Sequence, residues 1–303
     1  MKQEREKTAA AAPITVQTRR GGVECARSGD GPAVLLLHGA MGGYDQGLML
    51  GRATVGSPGF QFVAVSRPGY LGTPLAAGRT PEEQADVCAD VLDALAIRAT
   101  AVIAISGGGQ CALQFALRYP DRCWALVMVS ACSAQLNVRL PLRFYVMKLM
   151  ARIPPLVAAM RAKAVTDPDR AARRSIPDPA LRARTLNDPD AGPLLRALQL
   201  SVMDRMVARL PGTQNDIAQS RLPFAYPLEQ VMTPALVVHG TDDEAVPFAH
   251  AKALAERLPA AELLCVPDGR HVSIFTHRDL IRPRVKRFLD VHAPSGLMPA
   301  ATL

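Results

Sequence analysis

The stretch Ala101-Val-Ile-Ala-Ile-Ser106-Gly-Gly-Gly-Gln110 decides how the rest of the chain is read. An unbroken apolar run is a strand buried on both faces, and it passes without a spacer into a serine, three glycines and a helical pattern over 110–118 that stops at Tyr119-Pro120. A serine at such a strand-to-helix corner is held in strained backbone geometry, with its hydroxyl projecting beyond the sheet edge. The corner demands small residues two positions to either side, and Ala104 and Gly108 stand there. The usual pattern is G-x-S-x-G, so alanine replaces the first glycine. The glycines could instead cradle a phosphate, but neither G-K-[ST] nor G-x-G-x-x-G is present and no lysine is at hand to neutralise one.

Strands and helices alternate outward from this corner. Segments 14–18 and 23–26 alternate in polarity and join through Gly21-Gly22 as a hairpin, and 33–37 and 61–65 read as strands. Thr80-Pro81-Glu82-Glu83 supplies an N-cap, a proline in the first turn and a carboxylate three residues after the cap, predicting a helix over 81–96. A further strand follows at 125–130. After a break the pattern resumes with strand 235–239, helix 248–258, strand 261–266 and helix 278–291. Such alternation forces parallel strands, because a parallel pair needs a long crossover connection. The expected fold is α/β, a mostly parallel sheet flanked by helices, built from 1–134 and 233–303. Segment 135–232 is rich in Arg, Pro and Leu and has helical spacing with no convincing strand, so it is expected to be an inserted helical cap over the strands' carboxyl edge, where open α/β sheets bind ligands.

Composition narrows the class further. At 303 residues, 49% hydrophobic and 20% charged, the chain can bury a large core, which excludes collagen, coiled coil and disorder. The longest uncharged run, 99–117, carries Ser106, three glycines and two glutamines and does not read as a membrane span. The first residues mix both charge signs instead of following the order of a signal peptide, so the expected location is the cytoplasm. Six scattered cysteines, mostly within apolar runs, indicate neither a disulfide framework nor a metal site, and no cofactor is expected. The net charge of +8 is concentrated: 135–232 has 15 basic and 8 acidic residues, a balance of +7, leaving +1 for the rest. The plainer reading is a solvated helical face; contact with an anionic membrane surface or an acidic partner is the weaker one. Basic residues without interleaved aromatics do not suggest nucleic acid, and the expected partner is a small-molecule substrate.

A serine hydroxyl is a poor nucleophile at neutral pH and needs a base and a carboxylate to orient that base. Two later strands end in suitable loops. His239-Gly-Thr-Asp-Asp243-Glu-Ala-Val-Pro247 offers Asp243, and Pro267-Asp-Gly-Arg-His271 offers His271, with His277 as the alternative base. Each placement alone has an ordinary explanation, since acidic residues cap helices and one of six histidines can follow a strand by chance. Jointly, three groups at the ends of three strands converge on one sheet edge. The expected catalytic residues are therefore Ser106, Asp243 and His271. For the oxyanion of a tetrahedral intermediate the expected donors are the backbone N–H groups of Gly107 and Ala40, the latter following His38-Gly39, with Met41 as an alternate. Phe144, Tyr145, Phe224 and Tyr226 are candidate pocket walls.

Leu35-Leu-Leu-His-Gly39, Ser66-Arg-Pro-Gly69-Tyr-Leu-Gly72, Ile105-Ser-Gly-Gly-Gly109, Gly240-Thr-Asp-Asp-Glu-Ala-Val-Pro247 and Gly269-Arg-His271 together resemble the α/β-hydrolase fold superfamily, in its lidded serine esterase and haloperoxidase-like branch. The resemblance spans about 14–291, with 135–232 matching only as a helical cap. It implies ester hydrolysis through an acyl-enzyme on Ser106. Members with an aspartate at the nucleophile position are excluded by Ser106. The same constellation also serves acyl transfer, perhydrolysis and hydroxynitrile lysis, and a capped pocket could hold a ligand without turnover, so these readings stay open.

Overall fold

Eight strands form one sheet in the order β1-β2-β4-β3-β5-β6-β7-β8, where β1 is Ile14–Thr18, β2 Gly21–Ser28, β3 Ala33–Leu37, β4 Gln61–Val65, β5 Thr100–Ile105, β6 Cys123–Val129, β7 Ala235–Gly240 and β8 Ala261–Val266. The computed structural model describes residues 12–56, 59–136, 142–223 and 225–294. The first two strands are antiparallel, and β3 to β8 all run parallel. Their carboxyl ends therefore share one edge, which holds Ser106, Asp243 and His271 in the segments just beyond β5, β7 and β8.

The sheet is covered on both faces, which is why its central strands are apolar throughout rather than alternating. On one face α2 (Pro81–Ala94), α3 (Gly109–Arg118) and α10 (Ala249–Arg257) bury Val87, Val91, Leu113 and Leu254. On the other, α1 (Tyr44–Thr54), the short α11 (Ser273–Thr276) and α12 (Arg278–His292) bury Leu48, Leu50, Ile274, Ile281 and Val285. The capping box opening α2 forms as its sequence requires, with Thr80 Oγ1 accepting from the Glu83 N–H and Glu83 Oε2 from the Thr80 N–H. The helix ends at Ala94, two residues short of expectation, and Ala96 sits at φ +54°.

Helix α1 is hidden from sequence reading by Gly47 and Gly51, each costing about 1 kcal/mol in helix propensity. Packing explains them. A β-carbon at 51 would lie 2.8 Å from Leu36 Cδ1, and one at 47 would lie 3.0 Å from Ala64 Cβ. The glycines let the helix lie close against β3 and β4.

Between β6 and β7 the described residues contain helices and no strand: α4 (Leu142–Met150), α5 (Pro154–Thr166), α6 (Pro168–Ala172), α7 (Pro179–Asn187), α8 (Ala191–Ser201) and α9 (Leu210–Ser220). Prolines in the first turns of α5, α6 and α7 occupy positions whose N–H would be unpaired in any case. Leu186 and Leu195 of α7 and α8 join the apolar layer of α1 and α12. Phe144, Ala151, Met206 and Leu210 form a separate small cluster against Met41. Segment 208–212 is tied to the turn after β4: the Leu71 N–H donates to Ala208 O and the Gly212 N–H to Gly69 O, both at 2.8 Å. Gly69, at φ +85°, permits this approach, since a β-carbon there would lie 2.7 Å from Gly212 Cα. Among the described residues no helix is long and apolar enough to cross a membrane.

Candidate active site

Ser106 adopts φ +54°, a conformation worth roughly 1–3 kcal/mol of strain for a non-glycine residue and one that clusters at functional sites. The strained corner expected between β5 and α3 is thus present. Gly108 cannot carry a side chain, because a β-carbon would lie 2.7 Å from Leu37 O and 2.8 Å from His38 O. Ala104 is fully buried, so its methyl is accommodated where the usual pattern has glycine.

The loops after β7 and β8 brace each other. The Thr241 N–H donates to Val266 O and the Asp242 N–H to Gly269 O, each at 3.0 Å, while the Asp268 N–H donates to Thr241 Oγ1. This bracing sets Asp243 against His271. Asp243 Oδ1 accepts from the N–H groups of Ala245 (2.9 Å) and Val246 (3.0 Å), and Oδ2 lies 2.8 Å from His271 Nδ1. An ionised carboxylate only accepts, so Nδ1 carries the imidazole proton and Nε2 presents its lone pair. Burial pushes the Asp243 carboxyl upward, but its bonds from His271, Val246 and Ala245 outweigh that and hold it below the ordinary carboxylate value. A second histidine, His239, approaches Asp243 Oδ2 at 3.5 Å while its Nε2 bonds Val246 O at 2.8 Å. Burial lowers its pKa.

Ser106 and His271 are not hydrogen-bonded to each other. They line two adjoining cavities, of about 620 and 920 Å³, that share Met160, Arg174 and Ala245 in their walls. Cys132, also in the Ser106 cavity, is no rival nucleophile: burial pushes its thiol up to about 12. The alternative base His277 instead pairs its Nδ1 with Thr276 Oγ1 at the start of α12 and lines neither cavity.

The candidate oxyanion donors differ in what their N–H groups meet. A β-carbon on Gly39 would lie 3.0 Å from Ser106 Cβ, so the loop after β3 lies directly against the serine. The N–H groups of Ala40 and Gly107 have no acceptor among the described residues. The alternate, Met41, is closed as a donor because its N–H is spent on Thr213 Oγ1 at 2.9 Å. His38 braces the loop from beneath. Its Nε2 accepts from the Arg67 N–H (3.0 Å), which leaves the proton on Nδ1 to donate to Gly39 O (2.7 Å). Complete burial, reinforced by the charge of Arg67, pushes its pKa well below the ordinary histidine value, so His38 stays neutral.

One charged residue of this cavity has no counterpart in the sequence reading. Asp216, on α9, lines the Ser106 cavity and accepts from Arg67 Nη1 (2.9 Å), Arg67 Nη2 (2.5 Å) and the Tyr70 hydroxyl (2.6 Å). Burial alone would lower the Arg67 pKa, but Asp216 and Tyr70 reverse that and the net shift is upward. An aspartate in an amphipathic helix gives no sequence signal of such a role. The nearest hint was the Arg67 to Tyr70 turn, whose partner could not be read. Of the aromatic candidates, Phe144 lines the cavity, Tyr145 is 56% exposed and Tyr226 packs against the layer holding α2 and α3; Phe224 lies outside the described residues.

The profile of the alpha/beta hydrolase family matches residues 34–283. A poly(3-hydroxyalkanoate) depolymerase from Ectopseudomonas oleovorans is 28% identical over 80% of this chain and 79% of its own length. Among solved structures, an alpha/beta hydrolase fold protein from Nakamurella multipartita is 32% identical, with a TM-score of 0.80 over 92% of this chain and 99% of that one. The enol-lactonase from Burkholderia xenovorans has a TM-score of 0.66 at 18% identity, covering 91% of this chain and 100% of its own, a likeness of fold alone. With the matched span running from β3 into the last helix, this chain belongs to the alpha/beta hydrolase family, which supports a hydrolase activity.

Proposed function

We propose that the protein is a serine hydrolase that cleaves small or medium carboxylic esters through Ser106, His271 and Asp243. The carrying observation is the orientation of His271: its Nδ1 is held 2.8 Å from a buried carboxylate while Nε2 is left free at the sheet edge bearing Ser106. In this reading Ser106 Oγ attacks the ester carbonyl as His271 Nε2 takes its proton, and Asp243 holds the tautomer and stabilises the imidazolium. The developing oxyanion accepts from the Ala40 and Gly107 N–H groups. His271 then protonates the departing alcohol, and water activated by the same nitrogen releases the acid from Ser106. The helices of 135–232 act as the cap: Phe144 and Met147 of α4 and Ile217 of α9 wall the cavity that would receive the acyl group. Similarity to a protein named for depolymerising a polyester is consistent with an ester bond as the target.

The test is labelling with a fluorophosphonate probe together with hydrolysis of p-nitrophenyl esters of graded chain length. Labelling should map to Ser106 and vanish in Ser106→Ala, with kcat falling about 10⁶-fold when the three residues act as a unit. Absence of both labelling and turnover in the wild type would overturn the proposal.

A further inference from the structure

The larger cavity differs in chemistry from the one holding Ser106. Its wall includes Lys163, Arg170, Arg174 and Arg270 against Asp167 and Glu244, and it reaches His271. Arg270 is committed to Glu244, with Nη2 at 2.5 Å from Oε1. Asp167 is engaged as a helix cap, its Oδ1 accepting from the backbone N–H of Arg170. That leaves Lys163, Arg170 and Arg174 with no ion-pair partner among the described residues, three cations around one cleft. Gln199, on α8, lines the same cleft, and its Nε2 is buried without a hydrogen-bond partner. A buried donor left unpaired is unfavourable unless an acceptor arrives to meet it.

Resting on the hydrolase reading above, we infer that this cleft binds an anionic oxygen group, carboxylate or phosphate, carried on the alcohol part of the substrate. The direction follows from the chemistry of the two groups that line the cavities. Ser106 and the oxyanion donor Ala40 line the apolar cavity, so the acyl chain lies there. His271 delivers the proton to the leaving oxygen and lines the cationic cleft, so the departing alcohol lies there. Arg174 stands in the wall of both, at the junction through which the ester bond passes. The substrate class is therefore an apolar acyl ester of a hydroxy acid or of a phosphorylated alcohol, and the cations raise affinity for its charged end over a neutral one.

The experiment uses the full chain and a matched set of hexanoate esters: the ester of 4-hydroxybutanoate, its methyl ester as the neutral counterpart, hexanoylcholine as the cation, and hexanoyl glycerol phosphate. The wild type should favour an anionic ester over the neutral one by about tenfold in kcat/KM at low salt, with the cation poorest and the preference shrinking as salt is added. The carboxylate and phosphate arms identify which anion is preferred. Arg174→Gln and Lys163→Gln should each lower kcat/KM for the preferred anionic ester several-fold more than for the neutral ester, chiefly through KM. Equal handling of anionic and neutral esters by the wild type, or equal losses on both in the variants, would overturn the inference while leaving a working serine hydrolase. Binding of 4-hydroxybutanoate and glycerol phosphate to Ser106→Ala, followed by NMR titration, reads the cleft without turnover. Saturable binding weakened by Arg174→Gln supports the inference, and no saturable binding of either anion overturns it even where no ester is cleaved.

Discussion

Asp216 of α9 accepts from both terminal nitrogens of Arg67, a residue 149 positions earlier in the chain, and so fastens a helix of the 135–232 segment to the turn after β4 in the wall of the Ser106 cavity. Arg67 is 1% exposed, and the same guanidinium donates from Nε to His38 O at the base of the loop after β3. The pair therefore couples three elements: the turn that follows β4, the loop that supplies Ala40, and the helix that walls the Ser106 cavity.

Breaking this pair should cost stability as well as activity. Arg67→Met leaves a largely enclosed carboxylate, with Tyr70 as its remaining partner among the described residues, and the expected loss is about 3 kcal/mol, read from the midpoint of urea denaturation. The double variant Arg67→Met/Asp216→Leu removes both charges and should recover much of that loss. Single and double variants equally destabilised would show that the ion pair is not the source.

A side chain on Gly107 should disturb the site. A β-carbon there would lie 3.0 Å from Asp216 Oδ2, so the carboxylate held by Arg67 or the backbone at 107 must shift. In Gly107→Ala the displaced N–H should cost about 10²-fold in kcat, with the chain still folded by circular dichroism. Activity within twofold of wild type would contradict the assigned donor.

Asp243→Asn should keep the geometry near His271 but lose the acceptor that selects the Nδ1 proton. The expected result is a fall of about 10⁴-fold in kcat with KM little changed, measured on a p-nitrophenyl ester. Unchanged kcat would remove Asp243 from the mechanism.

His38 makes folding sensitive to acid. Its folded pKa is depressed, so below the ordinary value of 6.5 the unfolded chain takes up a proton that the folded chain refuses. Stability from this group is intact above pH 6.5 and declines below it by about 1.4 kcal/mol per pH unit until the folded pKa is reached. Urea denaturation at a series of pH values from 7.5 to 5 should show the decline, and His38→Gln should reduce its slope by one proton's share, leaving the part due to His239, His250 and His277, whose pKa values burial also lowers. A slope unaltered by the substitution would place the proton uptake elsewhere.

The placing of Ser106, Asp243 and His271 at one sheet edge was legible because each follows an apolar strand within a few residues, and parallel strands must deliver their carboxyl ends to one edge. The helix Tyr44–Thr54 was not, since its glycines weaken the local signal in exchange for contact with Leu36 and Ala64, which the sequence does not announce. Met41 and His277 were reasonable alternates on sequence grounds. Thr213 takes the Met41 N–H and His277 lines neither cavity, placements set by how helices dock and cap.

By itself the sequence determined the parallel sheet, the corner at Ser106 and the order in which Ser106, Asp243 and His271 follow their strands, because strand burial, turn chemistry and chain direction are local properties. Only the tertiary structure decided that Asp216 joins Arg67 and Tyr70 beside the loop after β3, and that cations without an ion-pair partner among the described residues gather next to His271. Side-chain charge is written in the sequence, but its partner depends on which helix faces packing brings together, and the spacing of Arg67 and Asp216 along the chain says nothing about their spacing in space.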